Sequence, residues 1–535
     1  YRIMKIKYFA LSLLACVGMM SCSNNDDLAG DDGQKGDGDI NAAYLAININ
    51  NVGGTGTRAG GFDDGSDAEN AVTSVRFYFF NSDGSACTVN QGANYKDITS
   101  AQMENETSSD NIEEISNTIL VLDGITDQAP STMVTVVNPP ASLTGNQGLS
   151  ALKATVADYA TNCTESGKFV MSNSVYADGT TAVCETPVGA FLRSSEEDAE
   201  ATPVNVYVER VVAKVNVTFS GAEQTGNMYL VEGTDGQDGA VYAKVLGWDI
   251  VGKINKSNLL KSIDPSGWVS SLSGFTWNDA ANHRSYWAVT PTVDGVSINN
   301  TFKFTDLDNA AGTSVYTQEL TPTSAITDVV NNSAAKIVVA VQLVNKDGNA
   351  VPRYEYLGGS YASADAILAI VAPNFSQYWV STGENTYRQL STVDLEFKSG
   401  AALNDNATYN AYPQVKSGVT LYTKSGEQYT PVSDLTSVNT ALKAYNARIW
   451  TEGKCYYTTT IKHLGTSGVP QYGVVRNHVY QVNISDIAGI GTPVYDPDND
   501  EVTPVVPSDE KSYLAATVNV LAWKVVGSDV TLGGN

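Results

Sequence analysis

The stretch VNVYVERVVAKVNVTF, Val204 to Phe219, indicates the fold class of this chain. Its valines, tyrosine and phenylalanine predict a long pair of strands or one bent strand. Further short apolar runs bounded by turn residues lie on both sides of it, and this spacing is typical of antiparallel β-sandwiches. ADAILAIV, from Ala364 to Val371, is one of these strand-like runs. The sequence therefore predicts a mainly β chain.

A few short helices are expected among the strands. NQGLSALKATVADYA (146–160) and TSVNTALKAYNARIW (436–450) are the two best candidates. The second candidate lies in the C-terminal half of the chain, where strand-like runs otherwise continue. The predicted fold class is thus mainly β, with two antiparallel sandwiches and a few helices.

Length and charge limit the function. A chain of 535 residues is too long for one ordinary sandwich, so we expect at least two domains. Its 32 Lys and Arg against 58 Asp and Glu give a formal charge of −26. Such a surface repels nucleic acid and anionic membranes, so no nucleic-acid partner is expected.

The composition along the chain predicts five regions. A signal peptide covers residues 1–21, and a propeptide covers residues 22–58. The two sandwiches cover residues 59–225 and 226–490, with their boundary near the glycine-rich GTDGQDG of residues 233–239. An acidic tether and a last strand cover residues 491–535.

The N-terminus has the pattern of an exported lipoprotein. Lys5 and Lys7 precede the apolar stretch Tyr8 to Met20, which has signal-peptide length and is too short to span a membrane. A small residue then precedes Cys22, and a polar, flexible sequence follows, so Cys22 is the expected lipidation site. Cleavage before Cys16 would leave apolar residues on the mature end. A plain secretory peptide is the other interpretation.

Four further cysteines are widely spaced: Cys87, Cys163, Cys184 and Cys455. Export makes disulfides possible, and Cys163 with Cys184 is the pair that the spacing favours most. Buried, reduced thiols are an equally good interpretation.

Motifs for a cofactor, a metal or catalysis fail on inspection. GTGTRA (54–59) is not followed by a helix pattern, so no dinucleotide site is expected. DPDND (496–500) resembles half of a calcium loop, but other residues stand at its glycine and glutamate positions. His283, His463 and His478 stand far apart in the sequence, and no G-x-S-x-G occurs. We predict no metal, no organic cofactor and no enzymatic activity.

A strand near the N-terminus is placed so that proteolysis could remove it. In AAYLAININ, residues Leu45, Ile47 and Ile49 alternate with smaller or polar residues, as in a half-buried strand. A glycine-rich loop with Arg58 and Ala59 at its centre follows. Such loops adopt the extended form that proteases bind, so cleavage by an arginine-specific protease between these two residues would remove the strand. The remaining sheet would then have an open groove that accepts a strand from another chain.

The chain ends in a second unusual strand. The tether GTPVYDPDNDEVTPVVPSDEKS (491–512) is rich in proline and acidic residues, and we expect it to be extended and solvated. AATVNVLAWKVVGSDVTLGGN (515–535) follows and is a ready donor strand. Its apolar residues fall on two alternating faces, and which face would fill a groove stays open: Val518 and Val520 on one, Leu521, Trp523 and Val525 on the other.

Four segments, taken in their order and spacing, carry a family resemblance: KFVMSNS (168–174), VERVVAKVNV (208–217), YGVVRNHVYQVNISDIAGIGTP (472–493) and VNVLAWKVV (518–526). The chain resembles the fimbrillins of the Bacteroides–Porphyromonas group, and most of all the shaft subunits of minor (short) fimbriae. The resemblance implies two transthyretin-like sandwiches and polymerisation by donor-strand exchange. It also implies that Cys22 is acylated, that Arg58 is the cleavage site, and that residues 515–532 are the donor region. Within RNHVY, it gives Arg476 and His478 a structural role.

The partners implied by the resemblance are copies of the same chain, anchor and tip subunits, an arginine-specific protease, and host or bacterial receptors. The implied location is a cell-surface fimbria with a lipid-anchored (palmitate) precursor in the outer membrane. The implied roles are adhesion, biofilm formation and virulence. The alternative is a monomeric surface lipoprotein that binds glycans or host proteins through Trp268, Trp277 and Trp287, although tryptophans more often belong to a core.

Overall fold

The structure is a computed structural model that describes residues 43–52, 65–106, 112–125, 128–161, 163, 169–178, 181–221, 228–262, 288–320, 335–400, 409–461, 463, 473–504 and 513–522. These residues form many strands and few short helices, so the mainly β prediction is confirmed. Within them, no helix is both long and apolar enough to cross a membrane.

The first packing unit is built around one long sheet. Its sheet order is β3-β2-β6-β8-β12-β1-β5-β4, with β11 paired to β6. The strands are β1 Ala43–Val52, β2 Ser74–Phe80, β3 Tyr95–Thr99, β4 Glu104–Glu106, β5 Ile112–Leu122, β6 Thr132–Val137, β7 Val156–Ala157, β8 Met171–Asn173, β9 Tyr176–Asp178, β10 Thr181–Val183, β11 Thr186–Pro187 and β12 Val204–Arg210. The helices are α1 Asp67–Asn70, α2 Leu149–Lys153 and α3 Glu196–Glu200, with 3-10 turns at Ser100–Gln102 and Gly189–Phe191.

This sheet folds over a single core. Ile98 of β3 and Leu120 of β5 come from opposite ends of the sheet order, yet both belong to one buried cluster. Phe77 and Phe79 of β2 are fully buried in the same cluster. Of the predicted helix over 146–160, only α2 forms, and the chain enters β7 soon after it.

The chain passes from the first unit to the second inside Val204 to Phe219. β12 ends at Arg210 in the first sheet, and the next strand begins at Val212 in a different sheet. The predicted strand pair therefore forms, but its two strands serve different sheets. Glycine-rich residues 233–239, near which we placed the boundary, instead join two strands of the second unit.

The second unit begins after this crossing. Its first strands are β13 Val212–Phe219, β14 Met228–Glu232, β15 Val241–Val251, β16 Lys253–Ile254, β17 Ser257–Asn258, β18 Ile298–Asn299, β19 Phe302–Lys303, β20 Ser314–Gln318 and β21 Lys336–Asn345, with a 3-10 turn at Phe304–Asp306.

A third unit is inserted after β21 and has a core of its own. Its strands are β22 Arg353–Tyr356, β23 Gly359–Tyr361, β24 Tyr378–Gly383, β25 Thr386–Gln389, β26 Leu395–Ser399, β27 Ala411–Val415, β28 Leu421–Ser425, β29 Gln428–Pro431 and β30 Arg448–Trp450. Its helices are α4 Ala364–Val371 and α5 Thr436–Leu442, with 3-10 turns at Ala372–Phe375, Thr392–Asp394, Lys443–Tyr445 and Thr451–Gly453. This separate core was not foreseen within residues 226–490.

The strand prediction for Ala364–Val371 is wrong, because the segment is helix α4. The Ser363 side chain caps it by accepting a hydrogen bond from the Ala366 N–H at 3.2 Å. Ile367, Leu368 and Val371 face the core, at the helical spacing that a uniformly apolar run conceals. Of the predicted helix over 436–450, the first half forms α5 and the last three residues form β30.

The chain then returns to complete the second unit. The last strands are β31 Lys454–Thr460, β32 His478–Ala488, β33 Thr492–Pro493, β34 Glu501–Val502 and β35 Tyr513–Ala522. One sheet has the order β20-β13-β32-β35, and the other has the order β14-β15-β21-β31-β33. Val215 and Tyr480 of the first sheet share a buried cluster with Trp248 and Val339 of the second, so the two sheets form a sandwich.

The predicted tether is docked over its first half. Val494 is 1% exposed, and residues 492–493 add strand β33 to the edge of a sheet. The Tyr495 hydroxyl donates to the Phe397 carbonyl oxygen at 2.8 Å, and the Thr451 hydroxyl donates to the Tyr495 carbonyl oxygen at 2.6 Å. The expectation of a solvated segment is therefore wrong for residues 491–504, because the apolar residues between its acidic ones find a place on the sandwich.

All four described cysteines are free thiols. The Cys163 thiol donates to the Tyr159 carbonyl oxygen and the Cys184 thiol to the Lys261 carbonyl oxygen, so the two point to different partners. Burial raises the pKa of both thiols, that of Cys184 to about 11. The structure thus has the reduced form and lacks the favoured disulfide.

Candidate polymerisation site

Strand β1 is an interior strand of the first sheet. It pairs in parallel with β12, where Ile47 lies opposite Val204, and antiparallel with β5, where Ile47 lies opposite Thr118. Both of its edges are therefore hydrogen-bonded to neighbours. A strand at this place closes the sheet, and its loss would leave two facing strand edges without partners.

The side chains of β1 fill the core as the alternation predicts. Leu45 and Ile47 are fully buried, and Ala46, on the opposite face, is covered where α3 packs against β1. The side chain of Ile49 lies outside the described residues, although its backbone pairs with Val206. Ten residues of strand span about 33 Å, which is the length of the slot that removal of β1 would open.

The chain is fixed again soon after the predicted cleavage loop. Helix α1 begins with a capping box, in which the Ser66 N–H donates to the Glu69 carboxylate at 2.7 Å and the Glu69 N–H donates to the Ser66 hydroxyl at 3.3 Å. The Glu69 carboxylate also accepts from the Tyr316 hydroxyl at 2.5 Å and pairs with the Lys214 ammonium at 2.9 Å. The Arg210 guanidinium donates to the Glu69 carbonyl oxygen at 2.9 Å.

These contacts join the first unit to the second, because Tyr316 and Lys214 belong to strands of the second unit. Burial alone would raise the pKa of Glu69, but hydrogen bonds from Tyr316, Lys214 and the Ser66 backbone outweigh it and hold the pKa below its usual value. Glu69 is therefore a buried, ionised carboxylate that ties helix α1 to Tyr316 and Lys214 of the second unit, and we call this group of contacts the Glu69 latch. The loop with Arg58 and Ala59 lies between β1 and this latch, outside the described residues.

The C-terminal strand β35 lies on its own chain. It pairs antiparallel with β32 at the edge of the second sandwich, where Val518 lies opposite Val482, Val520 opposite Tyr480, and Leu521 opposite Val479. The predicted strand therefore forms over residues 513–522, and its outer edge has no neighbour within the described part of the sheet. The remaining two predicted donor residues, Trp523 and Val525, lie outside the described residues.

A buried ionic network lies beside the start of β32. The Arg476 guanidinium donates to Glu319 at 2.7 Å and to the carbonyl oxygens of Leu259 and Asn258 at 3.0 and 2.7 Å. The Lys261 ammonium lies 3.7 Å from Glu319. Burial would raise the pKa of Glu319, but the charges of Arg476 and Lys261 outweigh it and lower the pKa. The carboxylate is thus held ionised between two cations at the junction of the units.

Two of the three histidines meet in the same region, although they are separated in the sequence. The His463 and His478 rings lie 4.9 Å apart, and the Tyr480 hydroxyl lies 2.9 Å from His463 Nδ1. Burial lowers the pKa of His478 to about 4, which leaves its imidazole neutral at pH 7. Across the described ranges, no group of His, Cys, Asp and Glu is arranged to hold a metal ion.

Several predicted sites cannot be placed. Outside the described residues lie Cys22, Arg58, Ala59, Trp268, Trp277, Trp287, Trp523 and Val525. The sequence reasoning also missed the Glu69 latch. The S-x-x-E pattern of Ser66 to Glu69, directly after a glycine-rich loop, is a helix-start signal that could have revealed it.

Comparison with known proteins matches the segment that carries β32 and β35. Residues 448–529 match the family described as "Major fimbrial subunit protein type IV, Fimbrillin, C-terminal". Among curated proteins, none matches the chain.

Solved structures give distant similarities. A fimbrilin (fimA) from Porphyromonas gingivalis is 14% identical, with a TM-score of 0.39 over 90% of this chain and 99% of the other. The tip fimbrial protein Mfa3 from P. gingivalis is 12% identical, with a TM-score of 0.32 over 90% and 100%. A fimbrial assembly protein from Parabacteroides distasonis is 14% identical, with a TM-score of 0.29 over 56% and 82%. These scores are too low to support an argument, so the assignment rests on the family match.

The family match confirms the resemblance inferred from the sequence, while the shaft subtype stays a prediction. The matched family is one of fimbrial subunits and not of enzymes. Residues 448–529, which carry β32 and the C-terminal strand, match the fimbrillin family, and this match supports the family resemblance of the chain.

Proposed function

We propose that this chain is a polymerising subunit of a cell-surface fimbria. It is exported as a lipoprotein through Cys22, cleaved by an arginine-specific protease between Arg58 and Ala59, and assembled by donor-strand exchange. The observation that carries the proposal is the place of β1, an interior strand that the predicted cleavage would separate from the rest of the sheet.

The first and the last strands of the described chain have the same length. β1 and β35 each have ten residues, so the C-terminal strand is long enough to fill the slot left by β1. The Glu69 latch supports the same scheme, because it holds the new N-terminal region in place once β1 has gone. Beyond Pro504, residues 505–512 span at most about 28 Å when extended, which limits how far the donor strand reaches.

Assembly requires β35 to leave β32 of its own chain. Strands at a sheet edge exchange more readily than interior strands, because only one side of their backbone is paired. The free β35 would then add to the facing edges of β12 and β5 in the next subunit. Anchor and tip subunits would end the polymer, whose surface would contact host or bacterial receptors in adhesion and biofilm formation.

Deletion of residues 515–535 tests the proposal. We expect the truncated chain to fold and to form no fibres after protease treatment, and we expect the ladder of SDS-resistant oligomers to disappear from unheated gels. Val520→Asp and Trp523→Asp should both impair assembly, because a charge cannot be buried in an apolar groove. Lys524→Asp is the matched control, with a smaller effect. Fibres of normal length from truncated subunits alone would refute donor-strand exchange.

A further inference from the structure

The third unit is an insertion between two strands of the sandwich, to whose core it contributes Trp450 of β30. It joins β21 to β31, which pair directly with each other in one sheet. Its core is separate from that of the sandwich. Segments that connect neighbouring strands at the surface tolerate insertions and commonly carry binding surfaces. This unit is therefore free to serve a function apart from polymerisation.

One sheet of the third unit has an unusual outer face. The sheet order is β25-β24-β28-β29, and the inner face buries Val380, Leu390 and Leu421. The outer face carries four half-buried aromatic residues around an exposed lysine, here called the aromatic face: Trp379, Tyr387, Tyr422, Lys424 and Tyr429. None of the five belongs to a core cluster of the described chain.

The rings of the aromatic face touch one another across the strands. The Tyr387 and Tyr429 rings stack with centroids 3.9 Å apart and an angle of 9°. Trp379 meets Tyr429 edge to face at 5.3 Å, and Tyr422 meets Tyr387 in the same way at 5.0 Å. Such contacts hold the rings in fixed positions, so the face is preorganised.

The lysine gives this face a positive charge in an acidic chain. The Lys424 ammonium lies 4.9 Å from the Trp379 ring and 5.3 Å from the Tyr429 ring, and it has no carboxylate partner among the described residues. On the inner face of the same sheet, the Arg388 guanidinium is bound by Asp394 at 2.6 Å. With a net charge of −26 on the chain, a cation among rings favours a ligand that carries a negative charge.

The face is too small to form a stable protein interface by itself. Four strands about 4.8 Å apart, each with about four residues at about 3.3 Å, cover roughly 250 Å². A specific protein contact buries about 800 Å² on each partner. The face instead matches two or three sugar rings, whose C–H faces stack on aromatic rings and whose hydroxyls bond to polar side chains.

We propose that the aromatic face binds an acidic saccharide, a sugar chain with a sialate or uronate group. The sugar rings stack on the faces of Tyr387, Tyr429 and Trp379 that the contacts within the aromatic face leave uncovered, and the sugar carboxylate pairs with Lys424. The tyrosine hydroxyls of the face are available to the sugar hydroxyls. The proposal is independent of polymerisation, since none of these residues lies in β1, β32 or β35.

Calorimetric titration of the full chain with 3′-sialyllactose tests this site, with lactose as the neutral ligand. We expect saturable binding of sialyllactose and about tenfold weaker binding of lactose, the effect of one charge-assisted contact. Lys424→Gln should reduce the affinity for sialyllactose to that for lactose, and Tyr387→Ala should weaken both. Lys443→Gln is the matched control, because this lysine lies 5.0 Å from the Tyr412 ring elsewhere on the same unit. It should leave both affinities unchanged.

The absence of saturable sialyllactose binding would overturn the proposal, as would an equal loss with Lys443→Gln. Concentration-dependent dimerisation that Tyr387→Ala abolishes would assign the face to a second copy and also overturn it. If Tyr387→Ala does not fold, Lys424→Gln still decides the question, because this exposed side chain has no role in the core. Both variants should form fibres normally, so failure here is distinguishable from failure of the polymerisation scheme.

Discussion

The substitution Ile47→Ala should lower the thermal stability of the precursor but not that of the assembled fibre. Ile47 is fully buried at the centre of β1, between β12 and β5. Truncation of a buried Ile to Ala removes apolar contacts and leaves a cavity, at a cost of about 2–5 kcal/mol. For a unit of this size, each kcal/mol lowers Tm by about 2–4 °C, so the precursor should melt on the order of 4–20 °C lower.

The assembled fibre should not respond to the same change. If cleavage after Arg58 removes β1, the fibre no longer contains residue 47, and its dissociation temperature should equal that of the wild type. Calorimetry of the precursor and heating of fibres in SDS measure the two quantities.

Val121→Ala is the matched control in the precursor, because Val121 on the adjacent β5 is 40% exposed and its loss should change stability by less than about 0.5 kcal/mol. Fibres that are weakened as much as the precursor would show that β1 stays in the polymer, which contradicts the reasoning.

Three further predictions concern maturation, pH and metals. Arg58→Ala should leave lipid-anchored monomers at the cell surface; normal fibres of this variant, whether they begin at Ala59 or retain β1, would contradict this. Because burial lowers the pKa of His478 from 6.5 to about 4, the unfolded chain binds its proton first, so stability should be complete above pH 6.5 and fall as the pH drops towards 4. With His478→Gln, the free energy of unfolding, measured in urea, should depend less on pH between 6.5 and 4. An unchanged pH dependence would count against this prediction. A chelator should leave Tm unchanged, whereas a drop of several degrees would indicate a calcium site.

Much of the fold could be predicted from local pattern. Strands such as β1 and β15 alternate or carry branched residues at the spacing of a pleated sheet, so the mainly β class follows from the sequence. Helix α4 could not be distinguished from a strand, since every residue but one in ADAILAIV is apolar and periodicity disappears. The crossing at Val211 was also hidden, because a strand that changes sheets has the same alternation as one that continues.

The candidate site also has a part that could be predicted from local sequence and a part that could not. The first strand and the last strand were recognisable by composition and position, and residues 43–52 and 513–522 are strands. Their neighbours were not recognisable, because pairing with β12, β5 and β32 depends on contacts distant in sequence. The docking of residues 491–504 was missed for a different reason. The proline and acidic residues suggested a solvated segment. Val494 and Tyr495, which lie among these residues, supply the contacts that hold the segment against the rest of the chain.

The pairing of β35 with β32 determines what would drive the proposed donor-strand exchange. A donor strand that starts free in water would gain all the apolar burial and hydrogen bonding of the neighbour's slot. In this chain β35 already pairs with β32, so exchange gains only the difference between the two positions. That difference is favourable because an edge strand is bonded on one side, whereas a strand between β12 and β5 is bonded on both. In the proposed exchange, removal of β1 would thus supply the driving force by creating a slot with two open edges, and an uncleaved chain, with its slot filled, would have no better place for the strand than its own sheet.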